Sequence, residues 1–136
     1  MVGSGRDDLR FKEESEDLDN VYFAGQVENI GDYLNAFDVF IFPSRHEGLG
    51  STLLDAIDFG LPIIARGVGG IPDIVEHGEN GYLVSGEDPD FLTPLIELYS
   101  DVNIRGEISE KNRKKSDQFS IERMTESYIS IYNECL

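Results

Sequence analysis

Glu47 and Asp55 enclose the run Gly48-Leu49-Gly50-Ser51-Thr52-Leu53-Leu54, and these residue types together could hold a ligand with both hydroxyl and anionic groups. The two carboxylates accept hydrogen bonds from hydroxyls, while Gly48 and Gly50 permit torsions closed to other residues and let a ligand approach the main chain. Ser51 and Thr52 suit the start of a helix, whose first N–H groups and partial positive charge favour an oxyanion. Such chemistry needs a rigid frame. Asp38-Val39-Phe40-Ile41-Phe42 reads as a short apolar strand that ends at Pro43, so Glu47 falls in the loop beyond the sheet. In the helix that follows, Leu53, Leu54 and Ile57 form one face. Ser51, Thr52, Asp55 and Asp58 lie roughly opposite, which points Asp55 away from the core. Gly60 stops this helix, Pro62 cannot extend it, and the chain re-enters the sheet at Ile63.

By themselves Glu47 reads equally as a loop acid and Asp55 as a surface acid. Other candidate positions are weaker. His46 and His77 lack a third residue spaced to complete a metal site. Gly3-Ser4-Gly5 is a lone G-x-G, with Arg6 and Asp7 following where the third glycine of a dinucleotide fingerprint is still due. Gly69-Gly70 reads first as the turn between a strand and a helix and second as a backbone nest for phosphate. Asn80-Gly81 reads as a turn.

A chain of 136 residues makes one domain with an ordinary apolar core. Its 27 acidic and 11 basic residues give a formal net charge of -16, which argues against nucleic acid and anionic membrane surfaces as partners. Most of the acid, including Glu13-Glu14-Ser15-Glu16-Asp17, reads as a solvated face. The single cysteine, Cys135, permits neither an internal disulfide nor a cysteine zinc cage and fits a reducing compartment. No run approaches the roughly 20 apolar residues of a membrane span, and the start lacks a signal-peptide pattern, so the expected location is cytoplasmic, without direct membrane insertion.

Apolar runs at 21–24, 38–42, 62–65 and 81–84 alternate with helical patterns over 30–37, 51–59 and 71–77. This predicts an α/β fold: a Rossmann-like parallel sheet with helices on both faces and right-handed crossovers. After Asp88-Pro89 the chain becomes a helical tail over 89–136. Leu92, Leu95, Ile96 and Tyr99 mark its first helix, 104–118 a weakly amphipathic second, and Ser120 the cap of a third with Ile121, Met124, Tyr128, Ile131 and Tyr132 on its apolar side.

Taken together, Val2-Gly3-Ser4-Gly5, Val21-Tyr22-Phe23-Ala24-Gly25, Asp38 to Gly50, Leu54-Asp55-Ala56, Gly60-Leu61-Pro62-Ile63-Ile64-Ala65, Gly69-Gly70-Ile71-Pro72-Asp73-Ile74-Val75 and Asn80-Gly81-Tyr82-Leu83-Val84 form a specific pattern. It resembles the group 1 family of retaining, nucleotide-sugar-dependent glycosyltransferases with the GT-B fold. The match is to their C-terminal, sugar-nucleotide-binding half. The resemblance implies that Glu47, the catalytic-position acid, contacts donor-sugar hydroxyls. It implies that Gly48, Leu49, Gly50, Ser51 and Thr52 approach the diphosphate, and that Asp55 binds the ribose. Asp55 stands where the family usually has Glu, which shortens its reach by about 1.5 Å. By the same resemblance Gln26 and Val27 line the base through main-chain groups, while by themselves they read equally as an ordinary turn at a strand exit. The implied ligand is a nucleotide sugar carrying UDP, GDP or ADP, with no cofactor and no metal required.

The same resemblance predicts that 1–136 is a single partial domain lacking its opening strand, together with the Arg and Lys that clamp the diphosphate. Arg6, Arg45 and Arg66 do not replace them by motif position. Such a chain is expected to bind donor but to need a separate N-terminal glycosyltransferase domain for transfer, and so to be inactive alone. A gap between the strands at 21–24 and 38–42 would be filled by re-pairing, self-association or a second polypeptide. The alternative is a non-catalytic binding or assembly subunit that pairs with another chain, using the apolar side of the last helix.

Overall fold

The computed structural model describes every residue except Ser4, Arg6 and Leu136, so parts of the lone G-x-G segment lie outside the described residues. The chain forms two compact units, Met1–Tyr33 and Leu34–Leu136.

In the first unit, α1 spans Asp8–Glu14 and ends where the Ser15 hydroxyl donates to the Phe11 carbonyl at 2.7 Å. The predicted strand at 21–24 does not form. Instead Met1–Gly3 runs parallel beside it, with Ala24 N–H donating to the Met1 carbonyl at 2.8 Å and Gly3 N–H to the Gly25 carbonyl at 2.7 Å. Among the described residues the one bridge here is Val2 with Gly25, because so short a neighbour cannot support a full ladder. Helix α2, Ile30–Ala36, starts in this unit with an Asn29 to Asp32 side-chain hydrogen bond of 2.8 Å and runs on into the second unit, where its Leu34 is buried. Glu13, Glu14, Glu16 and Asp17 are all exposed, in line with a solvated acidic face.

The second unit holds the sheet. Strands β1 (Phe40–Phe42), β2 (Ile63–Arg66) and β3 (Gly81–Val84) are all parallel in the order β1-β2-β3. Phe40 pairs with Ile63 and Ile63 with Gly81, so all three strands leave the sheet at the same edge. Among the described residues these three strands make up the sheet of this unit. Strand alternation divides the side chains between two faces. One face, with Phe42, Ile63 and Ala65, meets α3 (Thr52–Asp58) and α4 (Ile71–Ile74). On the other, Ile64 and Val84 pack with Leu98 and Ile108 of the C-terminal helices.

Helix α4 stops three residues short of the predicted His77, since Val75 turns to extended backbone at φ -106 and ψ 118. The cause is Asn80, whose buried side chain accepts from Glu76 N–H at 2.7 Å and donates to the Ile74 carbonyl at 3.2 Å. Asn80 is therefore more than a turn residue.

Helices α5 (Leu92–Ser100), α6 (Val102–Ser116) and α7 (Ile121–Glu134) complete the unit, with a 3-10 turn at Asp117–Phe119 before α7. Asp90 caps α5, accepting from Leu92 and Thr93 N–H at 2.9 and 3.0 Å and from the Thr93 hydroxyl at 2.5 Å. These bonds, led by the Thr93 hydroxyl, hold its carboxyl below the usual range. The predicted apolar stripe of α5 is rotated: Pro94 and Leu98 are buried, while Leu92, Ile96 and Tyr99 are exposed. The core cluster explains this, because Phe91, Leu95 and Leu98 follow helical spacing on the side that meets Ile64.

Charge-rich α6 is anchored by a buried amide. Asn112 Nδ2 donates to the Leu61 carbonyl at 2.7 Å and the Asn80 carbonyl at 3.0 Å, and its Oδ1 accepts from Asn80 Nδ2 at 2.9 Å. Around it, Lys111 and Lys115 pair with Glu79 and Glu76 at 2.7 and 2.5 Å. Helix α7 differs, since none of its side chains is buried and Met124, Tyr128 and Ile131 are more than half exposed. Among the described residues, no helix is long and apolar enough to cross a membrane.

Replacing Asn112 by Ala strands buried partners on Leu61 and Asn80, and should cost about 3 kcal/mol in urea unfolding. A chain ending at Ser120 should instead keep its unfolding free energy within about 0.5 kcal/mol, because no residue of α7 is buried.

Candidate functional site

The C-terminal edge of a parallel sheet is where open α/β proteins bind ligands, since loops and helix starts converge there. Three loops meet that edge here: residues 43–51 after β1, 67–70 after β2 and 85–91 after β3.

The first carries Glu47. Its carboxylate is half-buried, and the Ser44 hydroxyl donates to Oε1 at 2.7 Å, which fixes the acid in a loop that has no regular structure. The remaining lone pairs of the carboxylate stay available to a ligand. Ser44 was not singled out by the sequence, since nothing in its spacing marks a loop serine as the partner of a nearby acid.

The two glycines beside Glu47 have different reasons to be glycine. Gly50 is buried with φ +72, a conformation that side chains rarely adopt, and a Cβ there would crowd Leu53 at 3.2 Å, so the fold itself demands it. Gly48 is exposed, and a Cβ on it would meet nothing within 4 Å. Leu49 is also exposed, at 56%. The surface above Gly48 and Leu49 is open to a bound molecule.

The second loop holds the first in place. Gly70 N–H donates to the Gly48 carbonyl at 2.7 Å, and Gly69, at φ +56, lies so close to the Glu47 carbonyl that a Cβ would overlap its oxygen. Gly69-Gly70 thus has a positioning role as well as turning the chain. The acid depends on a glycine pair that follows it by 22 residues.

Helix α3 begins without its expected cap. Ser51 is already helical, at φ -53 and ψ -30, and makes no side-chain cap bond. The Gly50 carbonyl opens the helix by accepting from Leu53 N–H at 2.8 Å. Thr52 is half-buried and Ser51 exposed at this end, where a helix leaves N–H groups without internal acceptors. Asp55 is exposed on the outer side of α3, as its spacing predicts, with Leu53, Ala56 and Ile57 buried beneath it. The structure therefore brings Glu47, Gly48, Leu49, Gly50, Ser51, Thr52 and Asp55 together on one loop and helix start. Gln26 and Val27 belong to the first unit, where Gln26 is exposed and Val27 half-buried just after Gly25 at φ +69.

Two open grooves lie elsewhere in the second unit. One, of about 430 Å³, lies at the start of β1 between Asp38, Val39, Leu98 and Arg105. The other, of about 290 Å³, lies between His77, Tyr82, Asp90 and Glu97. There, burial and then a hydrogen bond to Glu97 push the Tyr82 phenol up to about 12. Neither groove includes Glu47 or Asp55, and the loop chemistry, not groove size, identifies the candidate site.

Known proteins resemble this chain in sequence and in fold. Residues 1–101 match the family model described as Glycosyl transferases group 1. The N-acetyl-alpha-D-glucosaminyl L-malate synthase of Bacillus anthracis is 32% identical over 120 residues, covering 87% of this chain and 32% of that protein. The lipopolysaccharide core biosynthesis mannosyltransferase LpsB of Rhizobium meliloti is 29% identical over 122 residues, covering 87% of this chain and 35% of that protein. The chain thus spans about a third of the length of these curated relatives. Among solved structures, Anabaena Alr3699/HepE in complex with UDP superposes with a TM-score of 0.83 at 22% identity, over 98% of this chain and 40% of that one. The C-terminal domain of a Francisella tularensis glycosyl transferase group 1 protein, LpcC, gives 0.75 at 29% identity, over 86% and 66%. The chain belongs to the group 1 glycosyltransferases and has the fold of the C-terminal domain of their GT-B architecture.

Proposed function

We propose that this chain is the donor-binding part of a retaining glycosyltransferase that uses a nucleotide sugar. The observation that carries this reading is the Glu47 loop, where an acid oriented by Ser44 stands beside a glycine that neither packing nor torsion requires. A ligand lying against the main chain supplies the missing reason for Gly48. Complexes of a fold neighbour, Anabaena Alr3699/HepE, with UDP and with UDP-glucose support a nucleotide sugar as that ligand.

In this reading the diphosphate lies over Gly48 to Thr52, at the start of α3, and Asp55 takes the ribose hydroxyls from the outer face of that helix. Glu47 holds sugar hydroxyls. As the glycosidic bond to the diphosphate breaks, negative charge grows on the leaving oxygen, and N–H groups at the helix start stabilise it without a metal. Glu47 and Asp55 serve opposite ends of the donor, so neither is the nucleophile of a close glycosidase pair. Transfer to an acceptor needs the N-terminal half of the GT-B architecture.

A second reading, a non-catalytic assembly subunit, draws on α7, whose apolar residues Met124, Tyr128 and Ile131 are exposed among the described residues. Calorimetric titration with UDP separates the two. Donor binding predicts millimolar or tighter affinity that falls at least about tenfold in Asp55→Ala, and Glu47→Gln should weaken UDP-sugar more than UDP, by about 1–2 kcal/mol. Absence of UDP binding, with co-purification of another chain, would favour assembly.

The two glycine environments give a sharper contrast. Gly48→Ala should leave thermal stability unchanged and weaken UDP binding, whereas Gly69→Ala should lower both, by about 2 kcal/mol or more in stability, because its Cβ displaces the Glu47 carbonyl. Equal effects of the two substitutions on melting would contradict the assignment.

A further inference from the structure

Arg66 ends the central strand of the sheet, between the Glu47 loop and the 85–91 loop. Its side chain is half-buried, and its Nε is the one buried side-chain nitrogen or oxygen without a hydrogen-bond partner among the described residues. Among the described residues the guanidinium makes a single long hydrogen bond, from NH1 to the Gly86 carbonyl at 3.5 Å. Five donors in a rigid fork are thus almost unused. Arg66 is in no ion pair among the described residues, although Glu87 and Asp88 follow Gly86 and the whole chain carries a formal charge of -16. In the three loops at this edge Arg45 is the other permanent cation, and it is exposed.

An arginine held under-bonded at the mouth of a parallel sheet is poised for an oxyanion. Burial removes water from Nε, and a phosphate or carboxylate would accept from Nε and a terminal nitrogen together in a bidentate bond. By strand alternation Arg66 lies on the Ile64 and Val84 face, opposite the face that carries α3. It therefore approaches the crevice from the side away from the start of α3.

We infer that Arg66 is an oxyanion-binding residue of the substrate crevice, taking phosphate or carboxylate from a substrate through Nε and a terminal nitrogen. This rests on the reading of the C-terminal sheet edge as the substrate site. It adds a cation that motif position alone does not provide.

The test uses the 136-residue chain labelled with nitrogen-15 and titrated with inorganic phosphate, following the arginine Nε–H signals. The Arg66 signal should shift saturably, and Arg66→Gln should weaken phosphate binding at least tenfold, with Arg66→Lys in between because it keeps charge without the fork. An Arg66 signal that does not move, or a folded Arg66→Gln chain that binds phosphate as well as the parent, overturns the inference. UDP added to the phosphate-loaded chain identifies the source. Displacement from Arg66 assigns the donor diphosphate, and retention assigns an anionic group of the other substrate. If UDP fails to bind while phosphate still shifts Arg66, the donor reading falls and the oxyanion site stands.

Discussion

The main chain of Gly69 and Gly70 lies against the carbonyls of Glu47 and Gly48 with no space for a side chain, and the candidate site depends on that approach. A loop without regular structure has no internal reason to hold one conformation. Here the amide of Gly70 supplies a hydrogen bond and Gly69 supplies the clearance, so the turn after β2 becomes a template for the loop after β1. Ser44 then has only to orient the carboxylate. Parallel pairing of β1 with β2 makes this possible, because it brings both loops out at one edge with a fixed register.

That edge is held from behind by buried polar groups. Asn112 on α6 reaches the Leu61 carbonyl at the entry to β2 and Asn80 at the entry to β3, binding the beginnings of two strands to one helix. Closing every amide hydrogen bond there removes the usual penalty for burying such groups. Arg113 adds a contact from α6 to the Phe59 carbonyl at 3.4 Å, and Gly60 allows the close passage of Arg113 and Ser109. The loops can stay open because rigidity is supplied at the opposite end of the strands. Helix α7 takes no part in this anchoring.

Much of the fold was legible because its signals are local. Pro43, Gly60 and Pro62 bound β1, α3 and β2 by chain stereochemistry alone, and Ser120 caps α7 as its position predicts, accepting from Arg123 N–H at 3.2 Å. The outward position of Asp55 also followed from helical spacing. Failures came where a distant partner decided the outcome. Residues 21–24 have strand composition but pair with no more than the short Met1–Gly3 segment among the described residues of their unit, and α4 loses its last turn to Asn80. The stripe of α5 rotated because Leu98, not Tyr99, faces Ile64.

By itself the sequence determined the family, the parallel α/β class and the identity of the Glu47 to Asp55 segment, since glycines, prolines and apolar period constrain the backbone locally. Only the tertiary structure decided why each glycine is there. Gly50 and Gly69 are required by the fold and Gly48 is not, a distinction that depends on which atoms approach from elsewhere in the chain. The same holds for Asn112 and Arg66. Each is an ordinary polar residue in the sequence, and its character follows from burial: one has every hydrogen bond closed by partners far away, and the other keeps an N–H with none.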